Sequence, residues 1–291
     1  FHSIRNPSNL GAGAARNVAL DAASGDLVAF LDGDDLLMAE SLTDRVIALA
    51  PHAGDRNVAG SFCGVRFSPE TVELTSLAPH YRSRQKPFVD FVTADAEVPF
   101  PMTAPLVSIS RLRAVGGLDP RMRTGGVDWD LWYRILRNGF LFVSSPFQSV
   151  VYRQRSGGIT RGNPAAHTRA AASLIRRAHE RVDPRLIVDP ADYPMVEPLG
   201  WYRATLAIAE RATRFSAMAL ADGDLEGMRE TLSILESGTW PLLQRHLDMD
   251  SLVARGVARA LGKKADEVQA AGEAVWPFVD CVKSEVERVS K

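Results

Sequence analysis

The sequence predicts an α/β sandwich followed by a mostly helical region. Three observations carry that expectation. Strand-like and helix-like segments alternate through residues 1–160. An apolar run, Leu27-Val28-Ala29-Phe30-Leu31, leads straight into three carboxylates, Asp32, Asp34 and Asp35. From about Asn163 to Lys291 almost every segment has helical spacing. The expected organisation is therefore an α/β domain over residues 1–160 and a helical region over residues 161–291.

Ser3-Ile4-Arg5 is a short strand candidate. Gly13 to Ala23 is rich in helix formers and stops at Ser24-Gly25, a common helix end. Leu27 to Leu31 reads as a strand. Glu40 to Leu49 reads as a helix with Leu42, Val46 and Leu49 on one face. Asn57 to Phe67 and Pro105 to Ile109 are expected strands. Asp130 to Arg137 is an expected helix closed by Asn138-Gly139, and Phe140–Val143 and Val150–Tyr152 are two short strands.

In the helical region, Pro164 suits a first turn that Asn163 could cap. Trp201, Ala204, Ile208, Ala212, Phe215 and Ala219 recur on one helix face. Asp222-Gly223-Asp224 breaks that helix, and Leu225, Met228, Leu232 and Leu235 begin a second stripe. The pair faintly resembles a tetratricopeptide hairpin. A single copy lacks the neighbours such repeats need, so a plain helical appendage is the preferred reading.

Composition narrows the function. The 291 residues are 46% apolar and 24% charged, ordinary for a globular chain. Acids and bases nearly cancel, 35 against 34, which disfavours nucleic acid as a partner. Cys63 and Cys281 have no metal-ligand spacing and fit a reducing compartment, hence an expected cytoplasmic location, either free or at the inner face of the membrane. No apolar run reaches the ~18 residues of a membrane span.

The carboxylate cluster is the first sign of chemistry. Burying unpaired acids costs several kcal/mol, so three acids in four residues mark a strand surfacing at a sheet edge, where α/β folds bind ligands. Hard divalent cations take oxygen ligands and neutralise phosphates. Upstream, Asn9-Leu10-Gly11-Ala12-Gly13-Ala14-Ala15-Arg16-Asn17 combines small residues, which let a backbone approach closely, with one cation.

These two stretches, with Gly116-Gly117-Leu118-Asp119 and Gly125-Gly126-Val127-Asp128-Trp129-Asp130-Leu131-Trp132, resemble the signatures of family 2 glycosyltransferases. The resemblance covers about residues 1–160. Tyr152-Arg153 matches a tyrosine-arginine pair found further on in many members, and three motifs in order are far more specific than an isolated aspartate-x-aspartate. It implies a GT-A type mixed-sheet sandwich and an inverting, metal-dependent, non-processive transfer of sugar from a nucleotide-diphosphate donor, UDP-linked by expectation. The acceptor would be a glycan, a lipid-linked molecule or a small molecule.

Roles carry over by position. Asp32 and Asp34 match the metal motif for Mn²⁺ or Mg²⁺, with Asp32 also touching the donor. Asp35 either supports these ligands or caps the next segment. Asp128 matches the general base, and Asp130 is expected to cap its helix. Asn9, Gly11, Arg16 and Arg155 are expected to face the donor. Trp132 is assigned to the core, whereas Trp129 is either core or acceptor wall.

The chain departs from the family pattern in places. Val127 stands where many members have glutamate, and Arg155 stands where many have histidine. Arginine cannot ligate a cation, but its planar fork binds phosphate oxygens. No Gln-x-x-Arg-Trp motif occurs, which argues against a processive synthase. The chain opens at Phe1, at what reads as the family's third strand. On that reading either the sequence is a fragment or the two earlier strands come from elsewhere, and the chain alone is expected to bind UDP poorly and to self-associate. Two other functions fit the same composition: a nucleotidyltransferase, and a catalytically incomplete transferase module acting as a scaffold.

Overall fold

A computed structural model describes residues 2–69, 81–82, 88–89, 100–122, 126–154, 164–179, 198–236, 253, 256–257 and 276–289. The chain divides into two compact units. The first comprises Phe1–Gly158 with Arg181–Met195, and the second comprises Ile159–Glu180 with Val196–Lys291.

The first unit is α/β. Its elements run α1 (Ala12–Ala22), β1 (Leu27–Ala29), β2 (Leu36–Leu37), α2 (Ser41–Leu49), β3 (Val58–Pro69), β4 (Tyr81–Arg82), β5 (Phe88–Val89), β6 (Pro105–Ser108), α3 (Ile109–Ala114), α4 (Val127–Arg137) and β7 (Leu141–Gln154). The sheet order is β1-β6-β3-β7-β2, and β4 and β5 also pair with β7. β3 and β7 run parallel, while β1–β6, β3–β6 and β2–β7 are antiparallel. The sheet is therefore mixed, with its two longest strands side by side at the centre.

β7 is one strand where two short ones were expected. Pro146 has no N–H to give a ladder. The register jumps there, from Phe62↔Ser144 to Gly64↔Gln148, and pairing then resumes to Pro69↔Gln154. A bulge absorbs the proline, so the strand continues to the site. Ser3-Ile4-Arg5 forms no strand among the described residues, and Ile4 is exposed. With no ladder partner, the segment's backbone has nothing to gain from extension.

The core of this unit is aromatic. Phe62, Phe100, Trp132 and Phe142 pack with ring centroids 5.0–5.7 Å apart. Trp132 is fully buried, as its assignment to the core required.

α2 does not turn its leucine and valine face to the core. Leu42 and Val46 lie on the exposed side, and Ile47 is 64% exposed. The buried side carries Ser41 and Arg45, with Arg45 at 0% exposure. Its guanidinium donates to the carbonyls of Thr103, Ala104 and Pro105 at 3.3, 3.0 and 3.1 Å, and to the Ser41 carbonyl at 3.0 Å. Ser61 Oγ donates to the Arg45 carbonyl at 2.8 Å. A buried cation is tolerable when its donors are spent. Here it ties α2 to the chain entering β6.

The second unit is helical: α5 (Pro164–His179), α6 (Pro198–Ala221), α7 (Leu225–Leu232), a 3₁₀ turn (Ser233–Glu236) and α8 (Trp276–Val289). Ala209, Ala212, Ala217 and Ala219 pack with Met228, Leu232, Leu235, Val253, Val257, Val282 and Val286. Ile208, Ala212, Phe215 and Ala219 are buried as the stripe predicts. The side chains of Trp201 and Ala204, and Asn163, lie outside the described residues. Asp224 caps α7, accepting from Gly227 N at 2.8 Å, so the expected break is a genuine helix boundary. Among the described residues no helix is long and apolar enough to cross a membrane.

Candidate active site

Two sequence motifs lock together at the mouth of the α/β unit. Gly11, at φ 82°, begins α1, and Asn9 Oδ1 accepts from its N–H at 2.9 Å. One turn on, a Cβ at Gly13 would sit 2.8 Å from the Asp119 carbonyl and 3.5 Å from Val127. Only glycine permits that approach. Asn17 then grips Leu118 with both ends of its amide: Nδ2 donates to the Leu118 carbonyl at 2.7 Å, and Leu118 N donates to Oδ1 at 2.9 Å. Gly117, at φ 68°, provides the turn that presents Leu118. The start of α1, the turn 116–119 and the start of α4 therefore converge.

Arg16, from α1, reaches across to Asp32 and forms an ion pair with it. Asp32 and Asp34 lie on the turn after β1 and are partly covered. Asp35 is buried at 6% exposure and bridges two elements. Its carboxylate accepts from Thr103 Oγ1 and from Arg153 N, each at 3.2 Å. Burial, reinforced by the charges of Asp32 and Asp34, raises its pKa to about 6, against the pull of the Arg153 N–H.

Asp128 occupies the first turn of α4, partly buried, and accepts from Trp129 N at 3.0 Å. Burial pushes its carboxyl up. Arg16 opposes that shift and Asp32 adds to it, so all three charges share one field. Tyr152, at the end of β7, is pushed up by burial and then by Asp35, Asp128, Asp32 and Asp34. Its ring lies 5.6 Å from that of Phe67.

Asp130 does not cap α4. It lies inside the helix, its N–H bonded to the Gly126 carbonyl, and it pairs with Arg134 at 2.7 Å with both side chains buried. Arg134 in turn holds the carbonyls of Val115 and Gly117. The pair fixes the turn that Asn17 grips. Trp129 is partly buried and meets Tyr133 edge-on at 6.4 Å.

Among the expected site residues, Arg16, Asp32 and Asp128 are thus brought into one field, with Asp34 on the same turn as Asp32 and Asn9 and Gly11 at the start of α1. Arg155 and Gly125 lie outside the described residues. Sequence reasoning gave no role to Asn17, Phe67 or the Asp130–Arg134 pair. An i, i+4 Asp–Arg spacing was the available signal for the pair, but nothing in one sequence marks Phe67.

The acids can be weighed as cation ligands. Among the described residues no three His, Cys, Asp or Glu side chains form a ready metal cage. Asp32 and Asp34 nevertheless fit a hard divalent cation. Both offer oxygen from one partly open turn, and Mg²⁺ in nucleotide sites takes one or two carboxylates while phosphates and water supply the rest.

The solved structures similar to this chain include S. aureus TarS 1-349 in complex with UDP-GlcNAc. It is 15% identical with a TM-score of 0.54, and the match covers 95% of this chain and 71% of that one. TarS 1-349 in complex with UDP also matches, at 14% identity and a TM-score of 0.46, over 97% and 69%. No curated protein sequence matches the chain. The fold is that of a GT-A glycosyltransferase. Residues 1–104 match the family model described as glycosyl transferase family 2.

Proposed function

We propose that the enzyme transfers a sugar from a UDP-linked donor to an acceptor hydroxyl in one inverting displacement, one addition per encounter. The observation that carries this reading is the convergence of Asp128, Arg16 and Asp32 where α1, the turn after β1 and the start of α4 meet. The UDP-GlcNAc complex of TarS, a protein of like fold, supports the choice of donor.

In this mechanism Asp128 is the general base. A carboxyl raised by burial is a stronger base than one in water, and the Trp129 N–H fixes its position. It takes the acceptor proton as the hydroxyl oxygen attacks the anomeric carbon. The bond from that carbon to the diphosphate oxygen breaks, and UDP leaves as the anion. Arg16 orients Asp32 and adds positive charge beside the leaving diphosphate. Asn9 and Gly11 present α1's start to the donor, and Arg155 completes the phosphate contacts. Asp32 and Asp34 would hold Mn²⁺ or Mg²⁺, which supplies charge neutralisation to the diphosphate when bound. The acceptor is a glycan, a lipid-linked molecule or a small molecule, and the cytoplasm is where such donors are met.

Calorimetry with UDP, in Mg²⁺, Mn²⁺ or chelator, tests the donor site. Asp128→Asn should leave UDP affinity intact while transfer falls by at least ~10²-fold, the usual scale for a lost general base. Loss of UDP affinity in that variant would make Asp128 a binding residue instead.

A further inference from the structure

Arg16 and Asn17 are neighbours on α1, and their side chains leave the helix for different elements. Arg16 pairs with Asp32 on the turn after β1. Asn17 takes both backbone groups of Leu118, at 2.7 and 2.9 Å. A primary amide carries a donor and an acceptor side by side, so it closes on one residue's N–H and C=O as a facing strand would. The turn it grips is firmly seated, because the Leu118 side chain is fully buried in the core. Gly117 makes room for the grip, since a Cβ there would sit 2.8 Å from Asn17 Oδ1.

From the turn the connection continues into α4. Arg134 donates to the Gly117 carbonyl at 2.7 Å and also to the Val115 carbonyl. Asp130 holds Arg134 at 2.7 Å, and Asp130 follows Asp128 by two residues in the first turn of α4. The residue beside Arg16 is thus joined, through side-chain hydrogen bonds, to the residue two places from Asp128. The close approach of Gly13 to Asp119 and Val127 seats the two helix starts against each other. A displacement in one step tolerates little slack between base and donor, and a misplacement of about 1 Å can cost about 10²-fold in rate. Arg16 and Asp32 stand on the donor's side and Asp128 on the acceptor's. Asn17 is where the two sides are pinned together.

We propose that Asn17 is a positioning residue: its amide, acting through the turn 116–119 and the Arg134–Asp130 pair, sets where Asp128 stands relative to Arg16 and the donor. The inference rests on the roles given to Asp128 and Arg16 above.

The test compares wild type with Asn17→Ala, Asn17→Asp and Arg113→Ala. Aspartate has the shape of asparagine and still accepts from Leu118 N, but it sets an oxygen against the Leu118 carbonyl. Arg113 is the control: it ties the far end of α1, donating to the carbonyls of Leu20 and Ala23 at 3.1 and 3.3 Å. UDP affinity is measured by calorimetry in MgCl₂. Hydrolysis of UDP-glucose, UDP-galactose and UDP-GlcNAc is followed as UDP release, with water in the acceptor's place. The Trp129 amide, which donates to Asp128, is followed by NMR in ¹⁵N-tryptophan-labelled protein. Both Asn17 variants should shift the Trp129 resonance, keep UDP affinity within about twofold and slow hydrolysis about tenfold or more. In an Asp128→Asn background Asn17→Ala should slow it no further, because its effect passes through the base. Arg113→Ala should leave the resonance and the hydrolysis as in wild type. The proposal is overturned if the Trp129 resonance stays in place in both Asn17 variants, or if Arg113→Ala shifts it as much. It is also overturned if hydrolysis keeps its wild-type rate, if UDP affinity falls as far as hydrolysis, or if the losses add in full in the Asp128→Asn background. A Trp129 resonance that shifts in a protein hydrolysing no UDP-sugar would leave the positioning role standing and sink the transferase reading.

Discussion

Asp128 and Asp130 lie two residues apart and do unrelated work. Asp128 sits in the shared field with Arg16 and Asp32, whereas Asp130 is spent on Arg134. Removing one partner of a buried ion pair leaves the other charge stranded, at about 3–5 kcal/mol. Asp130→Asn is therefore expected to lower the melting temperature sharply, while Asp128→Asn melts close to wild type and loses only transfer. Thermal melts on the two variants check this, and equal melting would show that Arg134 is held by its carbonyls alone. Asp35 gives a pH signature. Its folded pKa of about 6 lies above the ordinary aspartate value of 3.8, so the folded chain holds this proton more readily than the unfolded one. The resulting stabilisation is full below pH 3.8 and is lost as pH rises through 6, up to about 3 kcal/mol. Denaturation from pH 4 to 7 should show Asp35→Asn lacking that component of the slope. The acids were legible as a cluster because acids after an apolar run stand out. Their division of labour was not, because the partners that decide it come from residues 103, 134 and 153.

Among the elements, α2 shows where pattern reading fails. Leucine and valine spacing nominated one face, and the fold chose the face with an arginine. Apolar periodicity cannot reveal that three carbonyls await a donor at the start of β6. Two substitutions separate the faces. Ile47→Lys, on the exposed side, should change stability by no more than about 0.5 kcal/mol. Arg45→Ala leaves buried carbonyls unsatisfied and opens a cavity, for about 3 kcal/mol or more. Urea melts of the pair decide it, and a large loss for Ile47→Lys would mean that its side of α2 is covered in solution. By contrast α1, β3, β6 and α4 were readable, because each is bounded by glycine, proline or asparagine at a real end. β7 was read as two pieces for a sound local reason, Pro146, which a bulge overrode.

At the scale of the whole molecule, the change from strand–helix alternation to continuous helix was visible in the sequence, and the structure holds an α/β unit and a helical unit. The helical unit has its own acid sensitivity. His167, on α5, packs 5.1 Å from the Phe215 ring, with Arg211 and Arg214 over the same ring. Burial, then the two arginines, lower its pKa to about 4. A histidine kept neutral in the fold contributes stability above its unfolded pKa of 6.5, and loses it as pH falls towards 4. His167→Gln should flatten the loss of helical signal between pH 6.5 and 4, and an unchanged acid transition would place the sensitivity elsewhere.

Arg45 also constrains the order in which the protein can be assembled during synthesis. Its carbonyl partners lie 58, 59 and 60 residues further along the chain. While the ribosome is still adding those residues, the arginine has only water and Ser41 to bond. A helix with a hydrated cation on its inward face cannot collapse early onto a half-made sheet, because burying the charge unpaired would cost several kcal/mol. The apolar residues of α2 are on its other side and give no competing reason to collapse. The helix thus waits for β6 as a polar, soluble segment. β3 waits longer, since its parallel partner β7 begins only at Leu141. Closure of the centre of the sheet is therefore a late, long-range event, the kind that makes folding slow. A nascent chain cut short of residue 103 would carry α2 without the carbonyls that its arginine needs, and that arginine would mark it as unfinished.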